Sequence, residues 1–134
     1  MSTYHTKTPP MYRSNYREIA KRAHMLLHLI EQQTKRKPYI RSAYFEKEKI
    51  FIQYFWPHLN QKHRRGRIDR LRLLPCAIEL IRNSRNKPEI KITAQETLYR
   101  FEGKSITGET FYVQIKHDIK KNEKYFMSVF PKNS

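Results

Sequence analysis

Past Pro88 the apolar residues stop recurring every third or fourth position and begin to alternate, and this switch constrains the fold more than any other feature of the chain. Before it, Ile19, Ala23, Leu26, Leu27 and Ile30 form one helical stripe of about five turns, opened by a capping-box pattern at Asn15 and Glu18. Ile68, Leu71, Leu74, Ile78 and Ile81 form a second stripe reaching about Asn83. Pro75 interrupts that stripe, either as the first turn of a new helix or as a kink in a continuous one. Beyond the switch, residues 97–102, 110–116 and 124–130 alternate. Gly103 and Gly108 bracket the first connection and polar residues 118–123 make the second, which reads as two successive hairpins. The expected class is α+β, with N-terminal helices packed on one face of a C-terminal antiparallel β-meander.

Residues 1–13, which include Pro9 and Pro10, read as a flexible basic arm, and 14–134 as a single domain of ordinary size. Residues 44–62 carry two signals. Residues 49–56 are rich in strand formers, whereas Phe51, Tyr54, Phe55 and Leu59 also match one helical face, and helix is the expectation. Cys76, the only cysteine, sits among apolar neighbours and reads as a buried structural thiol in a reducing compartment. No signal-like or membrane-length apolar run is present, so the expectation is a cytoplasmic protein that does not engage membranes.

Pairing Lys116 with Lys124 in the second hairpin places Phe111, Val113, Ile115, Tyr125, Met127 and Val129 on one apolar face. Tyr112, Gln114, Lys116, Lys124, Phe126 and Ser128 then share the other. Carried to the first strand, the register puts Tyr99 and Phe101 in the core and aligns Arg100 with Tyr112 and Ser128.

Twenty-eight Lys and Arg stand against twelve Asp and Glu, a formal net charge of +16 on 134 residues. Such a chain repels itself, and a polyanion relieves that repulsion while releasing its own counterions. The polar sheet face offers cations for phosphate and, in Phe126, a ring for a base, a combination suited to RNA before DNA. Arg64, Arg67 and Arg70 form a second concentration, in which Arg67 and Arg70 share a helical face able to meet a phosphate backbone. His63, among these arginines, is the candidate general acid or base. No zinc-ligand spacing, phosphate-binding loop or dinucleotide fingerprint appears, so no metal or cofactor is expected. Three functions fit this surface: an RNA-cleaving enzyme, a non-catalytic nucleic-acid-binding module, and an interaction protein docking on an acidic partner.

The order of elements, with basic helices, an Arg-rich helix start, an apolar helix ending at Asn83 and a meander closing on 125–131, resembles the small nucleases grouped as barnase, EndoU, colicin and RelE-like, including phage-associated members. The likeness covers residues 50–131. It implies metal-independent cleavage of RNA, so the first expectation is an endoribonuclease of toxin or mobile-element type, while the interaction protein would have an acidic antitoxin or inhibitor as partner. Carried onto this chain, His63 or Tyr112 would move protons, and Arg100, Lys116 and Arg70 would hold the scissile phosphate. Ser128 would fill the hydroxyl position on the terminal strand. Independently of the resemblance, the charge cluster and the polar sheet face make Arg64, Arg67, Lys124 and Phe126 further expected RNA contacts.

Overall fold

The computed structural model describes residues 2–133, the side chain of Arg64 excepted. In chain order the elements are β1 (Thr3–His5), α1 (Tyr16–Gln32), β2 (Tyr39–Ser42), β3 (Glu48–Phe51), α2 (Phe55–Leu59), α3 (Arg64–Arg72), α4 (Leu74–Asn83), β4 (Glu89–Ile92), β5 (Glu96–Lys104), β6 (Thr110–Asp118) and β7 (Glu123–Pro131). The strands form one mixed sheet in the order β1-β5-β6-β7-β3-β2, with β4 also paired to β5. No helix is long and apolar enough to cross a membrane.

Capping explains where α1 begins, since the Asn15 side chain accepts from the Glu18 amide at 2.9 Å. Its stripe buries Ile19, Ala23, Leu27 and Ile30. Pro75 stands in the first turn of α4, so the second stripe is two helices and not one kinked helix. Leu80 of α4 comes so close to β5 that a Cβ on Gly103 would lie 2.9 Å from it and 2.4 Å from the Phe111 ring. Gly103 is therefore a strand residue kept small by packing, while Gly108, at φ 91°, makes the turn. Cys76 is buried, donates to the Thr8 carbonyl at 3.2 Å, and burial pushes its thiol up to about 11.

Three expectations are corrected. The N-terminal segment is docked, not free: Thr3–His5 pairs in parallel with β5 and the Thr6 amide donates to the Lys104 carbonyl. Glu79 of α4 collects the Tyr4 hydroxyl and the Lys7 and Thr8 amides. Burial raises its pKa, but these donors outweigh that and hold it below the ordinary value. Three paired residues are too few for alternation to announce a strand.

Second, residues 44–62 are not one helix. Ile50 is fully buried and sits in a ladder between β2 and β7, so sheet pairing takes the apolar run and leaves only Phe55–Leu59 helical. The turn into β3 uses Glu46 and Lys47 at positive φ, 54° and 68°.

Third, the register of β7 changes midway. Gln114 faces Ser128 but Ile115 faces Phe126, so Met127 is an extra residue, a β-bulge. On the far side of it Val113 and Val129 are buried as expected. On the near side the faces are exchanged, with Lys116 opposite Tyr125 and His117 opposite Lys124, although Tyr125 is buried as expected, 1% exposed, packed against Tyr54 and Phe51. Phe126 becomes fully buried, stacked on Phe55 at 4.8 Å. Lys124, 8% exposed, turns inward to Glu48 at 2.8 Å and lies over the Phe45 ring. Neither faces the solvent as expected, so neither can contact RNA there, and Met127 is only partly buried.

Candidate nucleic-acid interface

Three rows of side chains cross β5, β6 and β7 on the face opposite α4. They read Glu102, Tyr112, Phe130; Arg100, Gln114, Ser128; and Leu98, Lys116, Tyr125. Arg100 thus aligns with Gln114 and Ser128, one row away from the alignment with Tyr112 that alternation suggested. It still reaches Tyr112 diagonally, its guanidinium 5.1 Å from that ring centroid.

The fourth contributor comes over the edge of β7. Leu71, Leu73 and Leu74 are buried and fix the end of α3, which leaves Arg70 beside the strand. Its Nη1 donates to Ser128 Oγ at 2.7 Å, and its guanidinium lies 5.1 Å from the Phe130 ring. Arg100 approaches the same ring at 5.9 Å, so two guanidinium groups flank one aromatic face. Ser128 is 3% exposed, which makes it a hydroxyl that aims Arg70 rather than one presented to a substrate.

The electrostatics are unbalanced. Burial pushes the Arg70 pKa below its ordinary value, because the charged form has lost solvent and its hydrogen-bond partner here is a neutral hydroxyl. The Arg100 Nε is buried with no hydrogen-bond partner. Among the described residues, Arg70, Arg100 and Lys116 form no ion pair with a carboxylate.

Beside Lys116 is a cleft of about 260 Å³, lined by Tyr54, His58, Gln61, Lys121 and Met127 among others. His58 comes from α2. Burial first, then the positive charges of Lys62, Arg70 and Lys116, depress its pKa below 6.5, leaving a neutral imidazole at pH 7. No spacing in the sequence singles out His58, because α2 ends at Leu59 and the cations that act on it come from the following loop, α3 and β6.

The other expected residues divide. Tyr112 is half-buried between Arg100 and Phe130, within the site. His63 is exposed at the N-cap of α3, its ring beside Gly66, about 10 Å along the helix from Arg70. The histidine grouped with the site cations is His58, not His63. Arg67 turns back to its own loop, donating to the Lys62 and Asn60 carbonyls at 2.6 and 3.1 Å, with its guanidinium 5.9 Å from the Tyr16 ring. It is a loop tie, not a companion of Arg70. Arg64 opens α3, and its side chain lies outside the described residues. No family model, no curated protein and no solved structure matches the chain.

Proposed function

We propose that the protein binds RNA across the open sheet face and cleaves it without a metal ion, with His58 as general base. One observation carries the reading: a histidine kept neutral at pH 7 by burial and by Lys62, Arg70 and Lys116, on a face whose arginines have no carboxylate ion pair among the described residues. Cations that depress a base also stabilise the dianionic phosphorane it helps to form.

In this mechanism the 2′-hydroxyl beside the scissile phosphate gives its proton to the His58 imidazole, and its oxygen bonds to phosphorus. The bond from phosphorus to the 5′-oxygen breaks, leaving a 2′,3′-cyclic phosphate. Water protonates the departing oxygen, and the His58 imidazolium then gives its proton to the hydroxide left behind, so that no proton is gained or lost. Arg70, Arg100 and Lys116 hold the phosphate oxygens, and Ser128 positions Arg70.

Labelled single-stranded RNA incubated with the protein in EDTA tests this. Wild type should produce cyclic-phosphate ends, and His58→Gln should cut roughly 10²–10⁴-fold more slowly while retaining RNA. Cleavage by His58→Gln at the wild-type rate, or intact RNA with wild type, would overturn the catalytic reading. Intact RNA that is nevertheless bound, with steep salt dependence, would assign the same face to binding alone, a reading that the unpartnered Arg100 Nε favours.

A further inference from the structure

The row that contains Lys116 does not stop at the candidate cleavage site. Lys116 stands opposite Tyr125, Tyr125 opposite Phe51, and Phe51 opposite Tyr39 on β2, so one line of side chains continues to the far edge of the sheet. Its rings follow one another, Tyr54 to Tyr125 at 4.6 Å, Tyr125 to Phe51 at 6.2 Å, and Phe51 to Tyr39 at 6.2 Å; Tyr125 is buried and supports the others, while Tyr54, Phe51 and Tyr39 are partly exposed. Cations cover the same line. Lys116 lies 6.0 Å from the Tyr54 ring, Lys37 4.3 Å from Phe51, and Lys49 and Arg41 4.8 and 5.2 Å from Tyr39.

Tyr39 also divides two open clefts. One, about 520 Å³, is lined by Lys35, Arg36 and Lys49; the other, about 600 Å³, by Arg41, Arg82 and Arg85. All six cations are exposed, and among the described residues none forms an ion pair with a carboxylate. Lys37 is different, being paired with Glu123 at 2.8 Å. A partly exposed ring with phosphate-binding groups on both sides fits a base stacked between two backbone phosphates.

Resting on the reading that this face binds RNA, we propose that it continues as a track for one extended RNA strand, anchored at Tyr39. Three strand spacings separate β6 from β2, about 14 Å, a span that one nucleotide does not cover. The substrate class is then a single-stranded RNA of several nucleotides, cut near His58 and held at the β2 edge. Stacking on Tyr39 is tolerant of sequence, because every base has a π-face.

Fluorescence anisotropy in the His58→Gln background keeps the probe intact, using labelled oligouridylates of about three and about twelve nucleotides. Tyr39→Leu should weaken binding of the longer oligomer about 5- to 100-fold with an unchanged salt slope, whereas Tyr39→Phe should retain it. Arg41→Ala with Lys49→Ala should lower the slope of log affinity against log salt by about 1.4, two phosphate contacts on a single strand. The short oligomer should bind all variants alike. Unchanged binding of the longer oligomer to Tyr39→Leu would overturn the anchor, and so would an equal loss for the short one. A duplex of the same length binding as tightly would overturn the single-strand assignment, and polyglutamate competing as well as RNA would overturn RNA as the occupant. These ratios are readable whether or not wild type cuts RNA, so failure of cleavage and failure of the track are distinguishable.

Discussion

On either side of Met127, β7 deals with one cation and one phenylalanine, in opposite ways. On the near side Lys124 is drawn inward, with Glu48 accepting at 2.8 and 2.9 Å, and Phe126 is stacked on Phe55 in the core. On the far side Arg70 has a neutral hydroxyl as its hydrogen-bond partner, and Phe130 is left partly exposed beneath it. A buried cation matched by a carboxylate and closed in by rings is finished within the fold. Arg70, whose hydrogen-bond partner among the described residues is the Ser128 hydroxyl, has no carboxylate beside it, which is what the proposed phosphate contact requires. Burial alone does not separate these two cations; what differs is the partner, a carboxylate for Lys124 and a hydroxyl for Arg70.

The sharpest way to break this contrast is to truncate each ring. Phe126→Ala should lower unfolding free energy by about 3–5 kcal/mol in denaturant titrations, whereas Phe130→Ala should change it far less and instead weaken RNA binding. Equal stability losses would erase the distinction. The cations come next. Arg70→Met removes charge-assisted contacts of about 1.5–3 kcal/mol to phosphate, so RNA affinity should fall roughly 10- to 100-fold in filter binding. Lys124→Met should leave affinity within about twofold and stability within about 1 kcal/mol, since Glu48, whose side chain is 44% exposed, stays hydrated when the ammonium is removed.

The smallest effect is on pH dependence. With a depressed His58 pKa, the acidic limb of kcat/KM for cleavage should lie below 6.5, and Lys116→Met, which removes one depressing charge, should move it upward. The sign for stability follows from linkage. The unfolded imidazole takes up its proton near 6.5 and the folded one only at lower pH, so the fold loses stability as pH falls from 6.5 towards the folded value, and this group has no such effect above it. An acidic limb above 6.5 would mean that another group is the base.

Much of the frame could be read from spacing alone. The two helical stripes, the three long strands and the placing of Arg100, Gln114, Lys116 and Ser128 on one face follow from periods of 3.6 and 2. The far half of β7 kept its expected faces although its register differs by two residues, because a shift by two preserves parity. The near half did not, because one extra residue at Met127 reverses parity, and nothing local in the sequence marks a bulge. Tertiary pairing decided the rest. Ile50 and Phe51 became strand because β2 and β7 were there to receive them, and His58 became a candidate base only when α2 was laid beside Lys116.

The parallel pairings have a consequence for how the molecule forms. β1 meets β5 through residues 3 and 102, and β3 meets β7 through residues 50 and 124, so the sheet is stitched by contacts far apart along the chain. High contact order of this kind slows folding towards the millisecond-to-second range, since long loops must close before any pairing rewards them. Both the row ending at Tyr39 and the pocket for Lys124 depend on the β3–β7 closure. The proposed track therefore exists only in the fully paired sheet, and a variant that opens the β3–β7 pairing should lose the Tyr39 end of it while keeping the β5–β6–β7 meander.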